Sequence, residues 1–219
     1  MTRRTATSLI CWTVVALLGA AAAASAQDLA PIKLPAPVTV GGMPLMEALK
    51  ARQSVREFAP DRLPPQMLAN LLWAAWGINR ADGRRTAPSA SNRQEIEIYV
   101  TLPEGVYLWD AKANVLMPVA AGDLRGATGS QPFVATAPLN LVYVADMAKA
   151  GRPATDPQQM LNIGADTGFI AENAYLFCAS AGLAVVVRAM IPRDELAKGL
   201  KLRETQVIVL AQTVGYPKK

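Results

Sequence analysis

The chain has 219 residues, 52% of them apolar, a formal net charge of +5 and no histidine. That length gives one domain a sizeable core, and the missing histidine excludes Ser-His-Asp and Cys-His catalysis as ordinarily built, along with His-rich zinc sites. Two cysteines are too few for a thiolate cluster, and neither G-x-G-x-x-G nor G-x-x-x-x-G-K-[ST] occurs, so no dinucleotide fold or P-loop is indicated.

Arg3 and Arg4 precede an apolar run, residues 9–24, interrupted only by Thr13 and Gly19, and Ala24-Ser25-Ala26 is an A-x-A cleavage site. This predicts a signal peptide over residues 1–26 and an exported, periplasmic protein. The run is short for a membrane span and has no basic stop-transfer flank, so no stable insertion is expected after cleavage; an uncleaved anchor is the alternative. Thr2-Arg3-Arg4 leaves both Sec and twin-arginine export open. Cleavage leaves 20 Lys and Arg against 17 Asp and Glu, a mild +3. No basic stripe is interleaved with aromatics, so nucleic acid is not an expected partner. Cys178 then stands alone, without an internal disulfide.

Residues 27–43 contain Pro31, Pro35 and Pro37 with little periodicity and read as an extended arm, not a packed element. Residues 44–219 read as one domain. From Pro44 the pattern predicts a helix with Leu45, Met46, Ala48 and Leu49 on one apolar face, running out near Arg52. Arg52-Gln53-Ser54-Val55-Arg56-Glu57-Phe58 follows. If extended, this run projects Arg52, Ser54 and Arg56 the same way; if helical, it keeps Arg52 and Arg56 on one face at i, i+4 without Ser54. Either way two guanidiniums converge, which suits a phosphate; a solvated charged helix end is the alternative. The helix dipole points the wrong way to help an anion there.

Residues 60–65 form a turn. A second helix reaches Trp76 with Met67, Leu68, Leu71, Leu72, Ala75 and Trp76 apolar, and Gly77 stands in the C-cap position. Residues 79–87 read as an arginine-rich loop. Arg80, Arg85 and Arg93 are candidates for steering an acidic substrate, with plain solvation as the alternative. After Pro88-Ser89-Ala90-Ser91-Asn92-Arg93-Gln94 comes a strand over 95–102, with Ile96, Ile98 and Val100 on one face and Glu95, Glu97, Tyr99 and Thr101 on the other, hence half buried. Residues 106–110 and 115–118 form a hairpin, 122–131 a short helix or loop, 139–145 a buried strand and 147–157 a loop. The longest helical pattern covers 158–181, where Gly164, Ala165, Gly168, Ala171, Ala174 and Ala179 alternate with Ile163, Phe169, Ile170, Leu176 and Phe177. Apolar residues nearly all round predict a fully buried helix, packed on its own sheet or on a symmetry mate. Gly182 closes it; a buried strand over 183–187, a short helix over 192–198 and a last strand over 207–214 follow. The irregular alternation argues α+β.

In this order and at these separations, the motifs resemble the FMN-dependent nitroreductase family over roughly residues 45–217. R-x-S-x-R-x-F at Arg52 to Phe58 looks like the family's flavin-phosphate motif. P-S-x-x-N-x-Q at Pro88 to Gln94 resembles its second flavin loop, and Gly182-Leu183 with Val214-Gly215-Tyr216-Pro217 its C-terminal pattern. The resemblance implies a mixed, largely antiparallel sheet flanked by helices, with a long central helix at a homodimer interface that holds FMN. It places Arg52, Ser54 and Arg56 at the phosphate and the ribityl or pyrimidine end, with Gln53 beside them. Pro88, Ser89 and Asn92 fall at the isoalloxazine and ribityl, and the backbone near Ala189 and Met190 falls near N5. No metal is implied. No catalytic acid or base is named, because flavin chemistry stands in for the absent histidine. The implied reaction moves a hydride from NAD(P)H or another donor to a nitroaromatic, quinone or similar small conjugated acceptor. Gly105-Val106-Tyr107, Gly122-Asp123-Leu124 and Gly215-Tyr216-Pro217 bring the chain nearest the azoline-oxidising dehydrogenases, although Ser91-Asn92-Arg93 replaces that branch's G-A-hydrophobic segment. Lys218 and Lys219 are candidate substitutes for basic residues the family places further on. The alternative function is a flavin-free envelope binding protein on the same scaffold.

Overall fold

A computed structural model describes residues 29–219; the segment read as a signal peptide lies outside the described residues. The strands are β1 (Ile32–Lys33), β2 (Ile96–Leu102), β3 (Gly105–Asp110), β4 (Val115–Ala121), β5 (Leu139–Asp146), β6 (Ala184–Arg188) and β7 (Gln206–Gly215). They form one seven-stranded sheet in the order β1-β4-β3-β2-β5-β7-β6. Every pairing among the described residues is antiparallel. The helices are α1 (Leu45–Ala51), α2 (Pro65–Trp76), α3 (Phe133–Thr136), α4 (Met147–Ala150), α5 (Pro157–Ala181) and α6 (Arg193–Gly199). The α+β class expected from the irregular alternation holds.

Apolar side chains cover both faces of the sheet. On one face Ile96, Ile98, Val100, Leu141 and Tyr143 pack with Leu68, Leu72, Ile163 and Ile170 of α2 and α5. On the other, Tyr99, Val142, Val144 and Ile208 pack with Leu196 of α6 and with Leu200. The second layer corrects the half-buried reading of β2: Tyr99 and Thr101 are buried as well, Tyr99 in the cluster that Leu196 of α6, from far along the chain, helps to form. All of β5 is buried, as befits a strand with neighbours on every side.

The arm is extended but packed, contrary to the expectation. Ile32 pairs with Leu116, Lys33 with Val115, and Leu34 is buried. Pro31 and Pro35 flank the short ladder instead of interrupting it, which an edge strand tolerates. The arm then crosses the end of α5, where Met43 N–H donates to Ser180 Oγ at 2.7 Å. Gly42 is left-handed there, and a Cβ on it would lie 2.9 Å from the same oxygen, so only glycine fits.

Three further readings change. Gly77 ends α2 in an extended conformation instead of a left-handed cap. The 147–157 loop opens with α4, whose N-cap Asp146 accepts from Ala148 N–H. Helix α5 starts at N-cap Asp156 and ends at left-handed Gly182, but it is not buried all round. Ile163, Thr167, Ile170, Ala174 and Cys178 face the core, while Leu161 is 66% and Phe169 47% exposed. The positions a Cβ would take on Gly164 and Gly168 are open. Likewise α1 buries only Ala48 and leaves Leu45, Met46 and Leu49 exposed. Periodicity marks an apolar stripe without saying whether its cover belongs to the same chain.

Candidate functional site

The 52–58 run is extended. Arg52 caps α1 with φ −58° and ψ 123°, Val55 N–H donates to Val185 O of β6 at 2.9 Å, and Phe58 bridges Pro217. The extended alternative therefore applies, and Arg52, Ser54 and Arg56 share one side. A residue that the sequence reading did not single out fixes this row. Tyr175 Oη on α5 accepts from Val187 N–H at 2.9 Å and lies 2.8 Å from Ser54 Oγ; the Arg52 guanidinium stands 5.4 Å over its ring. The available signal was a tyrosine in a buried helical stripe, since its hydroxyl must find a partner there.

Neither Arg52 nor Arg56 has an ion-pair partner among the described residues. Arg52 also sits at a helix C-terminus, where a cation is favoured. Two uncompensated guanidiniums flanking a hydroxyl fit a phosphate-bearing group. Gln53 and Val55, at the alternate positions, line a cavity of about 220 Å³ with Tyr175, Val185 and Pro217. A larger cavity, about 910 Å³, lies alongside, between Phe58, Tyr216, Lys218 and Lys219. Neither includes the arginines, which lie on the open side of the row.

The second run is a tight turn, Ala90–Asn92, in which Ser91 and Asn92 have φ 53°; Gln94 follows at φ 51°. Left-handed residues other than glycine cost energy and persist where the surroundings over-determine them. Here Ala90 N–H donates to Asp166 Oδ2 at 2.8 Å, and Gln94 N–H to Ser89 Oγ at 3.0 Å. Gln94 Nε2 donates to Asn92 Oδ1 at 3.1 Å. Arg85 donates to Gln94 Oε1 and Trp76 O, each at 2.8 Å, and lies over the Trp76 ring; burial lowers its pKa. Arg80 in turn donates to Arg85 O. Arg85 holds the loop, while Arg80 contributes one bond to it and remains exposed. Pro88 and Asn92 are exposed, as are Ala189 and Met190 in the turn after β6. That turn lies about 13 Å along the strand from Val185, at the usual strand rise.

Tyr175 anchors the first run and Asp166 the second. These two residues stand about two and a half turns apart on α5, which sets them on opposite flanks of the helix. One chain therefore anchors the two runs on different flanks of α5.

The sequence pattern of the nitroreductase family matches residues 49–216. The chain belongs to that family. A crystal structure of a protein from Ralstonia eutropha JMP134, assigned by name to the nitroreductases, is 44% identical, with a TM-score of 0.81 over 86% of this chain and 90% of that one. A nitroreductase-named protein of Methanocaldococcus jannaschii is 28% identical over 176 residues, 76% of this chain and 88% of its own length. A chain of the E. coli microcin synthetase complex shares the fold at 19% identity, with a TM-score of 0.66 over 88% of this chain and 80% of that one. Family membership makes an oxidoreductase the functional class, and the donor row of this nitroreductase lies inside the matched segment.

Two buried polar groups in the nitroreductase escaped the sequence reading. Arg188, at the end of β6, is buried and donates to Thr128 O at 2.7 Å, Asn140 Oδ1 at 2.9 Å and Thr213 Oγ1 at 3.1 Å. Burial lowers its pKa to about 10. It ties the 125–128 turn to the sheet immediately before Ala189. Glu95 directly follows the second run and is fully buried. Burial first, then the neighbouring Asp166, raise its pKa to about 7, while its own backbone N–H and Arg93 oppose the rise.

Proposed function

We propose that this chain is an exported, periplasmic FMN-dependent oxidoreductase that works as a homodimer on a nitroaromatic, quinone or similar small conjugated acceptor. The observation that carries the reading is the row of Arg52, Ser54 and Arg56, extended, held by Tyr175 and without a carboxylate partner. In this reading the two guanidiniums hold the FMN phosphate as a charge-assisted pair, and Tyr175 orients the Ser54 hydroxyl toward it. Pro88, Ser89, Asn92 and the backbone at Ala189 and Met190 hold the ring end. FMN, when bound, supplies hydride transfer at N5 between NAD(P)H or another donor and the acceptor. No side chain is assigned as catalytic acid or base.

Two findings support the dimer. The two runs lie on opposite flanks of α5, so a site using both draws on two copies. The outer face of α5, with Leu161 and Phe169 exposed beside open Gly164 and Gly168, suits close approach of a second helix. Export rests on the basic N-terminus, apolar run and cleavage site in the sequence. Among the described residues no helix is long and apolar enough to cross a membrane.

An absorption spectrum of the purified protein tests the proposal. A yellow dimer, bleached by reductant and oxidising NAD(P)H faster with nitrofurazone or menadione than with oxygen alone, is the expected result. A colourless protein that retains no FMN after saturation and gel filtration overturns it in favour of a flavin-free binding protein.

A further inference from the structure

The loop of residues 89–94 rests on a pair of buried acids. Glu95 is fully buried and Asp166 is 3% exposed, yet no other residue donates a hydrogen bond to either Glu95 carboxyl oxygen among the described residues, and the Asp166 carboxyl group is its neighbour. Two ionised carboxylates side by side cannot bond, and orphaned buried oxygens are costly. A proton on Glu95 supplies the missing donor. Asp166 meanwhile accepts from Ala90 N–H at 2.8 Å, so it is also the contact that fastens the loop to α5.

The other charged groups nearby do not neutralise the pair. Arg93 acts on Glu95 from the loop itself, but its guanidinium occupies the space where Gly151 would carry a Cβ. Gly151, left-handed at φ 80°, leaves that space free. From β5, Asp146 gives its backbone N–H to Glu95 O, while its carboxylate is taken by Arg203 at 2.8 Å and Ala148 N–H at 3.1 Å. On α5 only Asp166 acts on Glu95.

We propose that Glu95 carries a proton aimed at the Asp166 carboxylate, and that this proton is the latch holding the 89–94 loop in its left-handed conformation. With the proton in place, Asp166 keeps its bond to Ala90 and the strained residues stay over-determined. When it leaves to solvent, two adjacent buried charges repel, the Asp166–Ala90 contact loosens, and Ser91, Asn92 and Gln94 relax. Glu95 is thus a positioning residue, acting through Asp166 on a loop that would touch the cofactor. Loop behaviour follows from the carboxyl pair alone; the effect on FMN rests on the proposed function.

The test uses amide hydrogen exchange of the 89–94 segment in flavin-free protein, corrected for intrinsic rates, from about pH 6 to about pH 9. Wild-type protection is expected to fall by about tenfold or more across that range, while a segment in β5 keeps its protection. Glu95→Gln, whose amide donates to Asp166 without a titrating proton, is expected to hold the loop at all pH values. FMN affinity, measured by flavin fluorescence over the same range, is expected to weaken with pH in the wild type and stay level in the variant. Wild-type loop protection that does not change with pH overturns the latch, whether or not the variant folds. A loop that switches in a protein binding no FMN at any pH keeps the latch and overturns the cofactor assignment instead.

Discussion

Tyr175→Phe isolates the node that orders the donor row. The substitution keeps the ring under Arg52, so packing and the cation–π contact persist and only the hydroxyl is lost. Val187 N–H then loses its acceptor in a half-buried position, which costs about 1–3 kcal/mol for an unsatisfied buried donor. Ser54 Oγ loses its partner at 2.8 Å, but it is exposed and water replaces the bond, adding about 0.5 kcal/mol or less. Unfolding in urea should show a loss of about 1–3 kcal/mol with an unchanged m-value. For FMN, a Ser54 hydroxyl no longer aimed by Tyr175 forfeits much of one hydrogen bond to a charged group, about 1.5 kcal/mol, or roughly tenfold in Kd. Fluorescence titration of apoprotein measures it. Wild-type stability together with wild-type FMN affinity in this variant would show that the hydroxyl orders nothing.

Arg56→Ala removes an exposed guanidinium with no ion-pair partner among the described residues, so stability should stay within about 0.5 kcal/mol; FMN affinity should fall by about 1.5–3 kcal/mol, read by titration. Arg188→Met strips donors from Thr128 O, Asn140 Oδ1 and Thr213 Oγ1 and should destabilise the fold by about 2–4 kcal/mol in thermal or urea unfolding. For Glu95→Gln the sign follows from a folded pKa raised from 4.5 to about 7. The native state binds the extra proton, so the cost of ionising Glu95 is absent below its unfolded pKa, grows as pH rises, and is complete above the folded pKa. Wild-type stability relative to the variant should therefore drop through that window by up to about 3 kcal/mol, as paired urea curves at several pH values would reveal. Phe169→Asp places a charge on the outer face of α5, and sedimentation should show a monomer where the wild type sediments as a dimer.

Local pattern made much of this nitroreductase legible. The unbroken apolar run of β5 and the caps Asp156 and Gly182 of α5 are signals whose causes lie within a few residues. The donor row was readable for the same reason: alternation at Arg52, Ser54 and Arg56 needs only an extended backbone. What failed to show depended on contacts between distant segments. Tyr99 looked solvent-facing because part of its cover, Leu196 of α6, comes from residues 193–199. Nothing local marks Tyr175 or Asp166 as an anchor, and only the fold shows that each pins a different loop.

The outer face of α5 combines both kinds of information. Its small and apolar residues are visible in the sequence, which leaves their cover open between the chain's own sheet and a symmetry mate; Leu161 and Phe169 face outward. Such a stripe on a helix whose inner face is already satisfied requires a cover from outside the chain, or it is a liability in water. The same helix carries the anchors of both loops on opposite flanks, so a second copy laid on its outer face would bring one copy's donor row toward the other's 89–94 loop. In the proposed homodimer the apolar stripe and the two separated loops would share one physical explanation, and a variant that separates the copies should lose FMN retention together with the dimer.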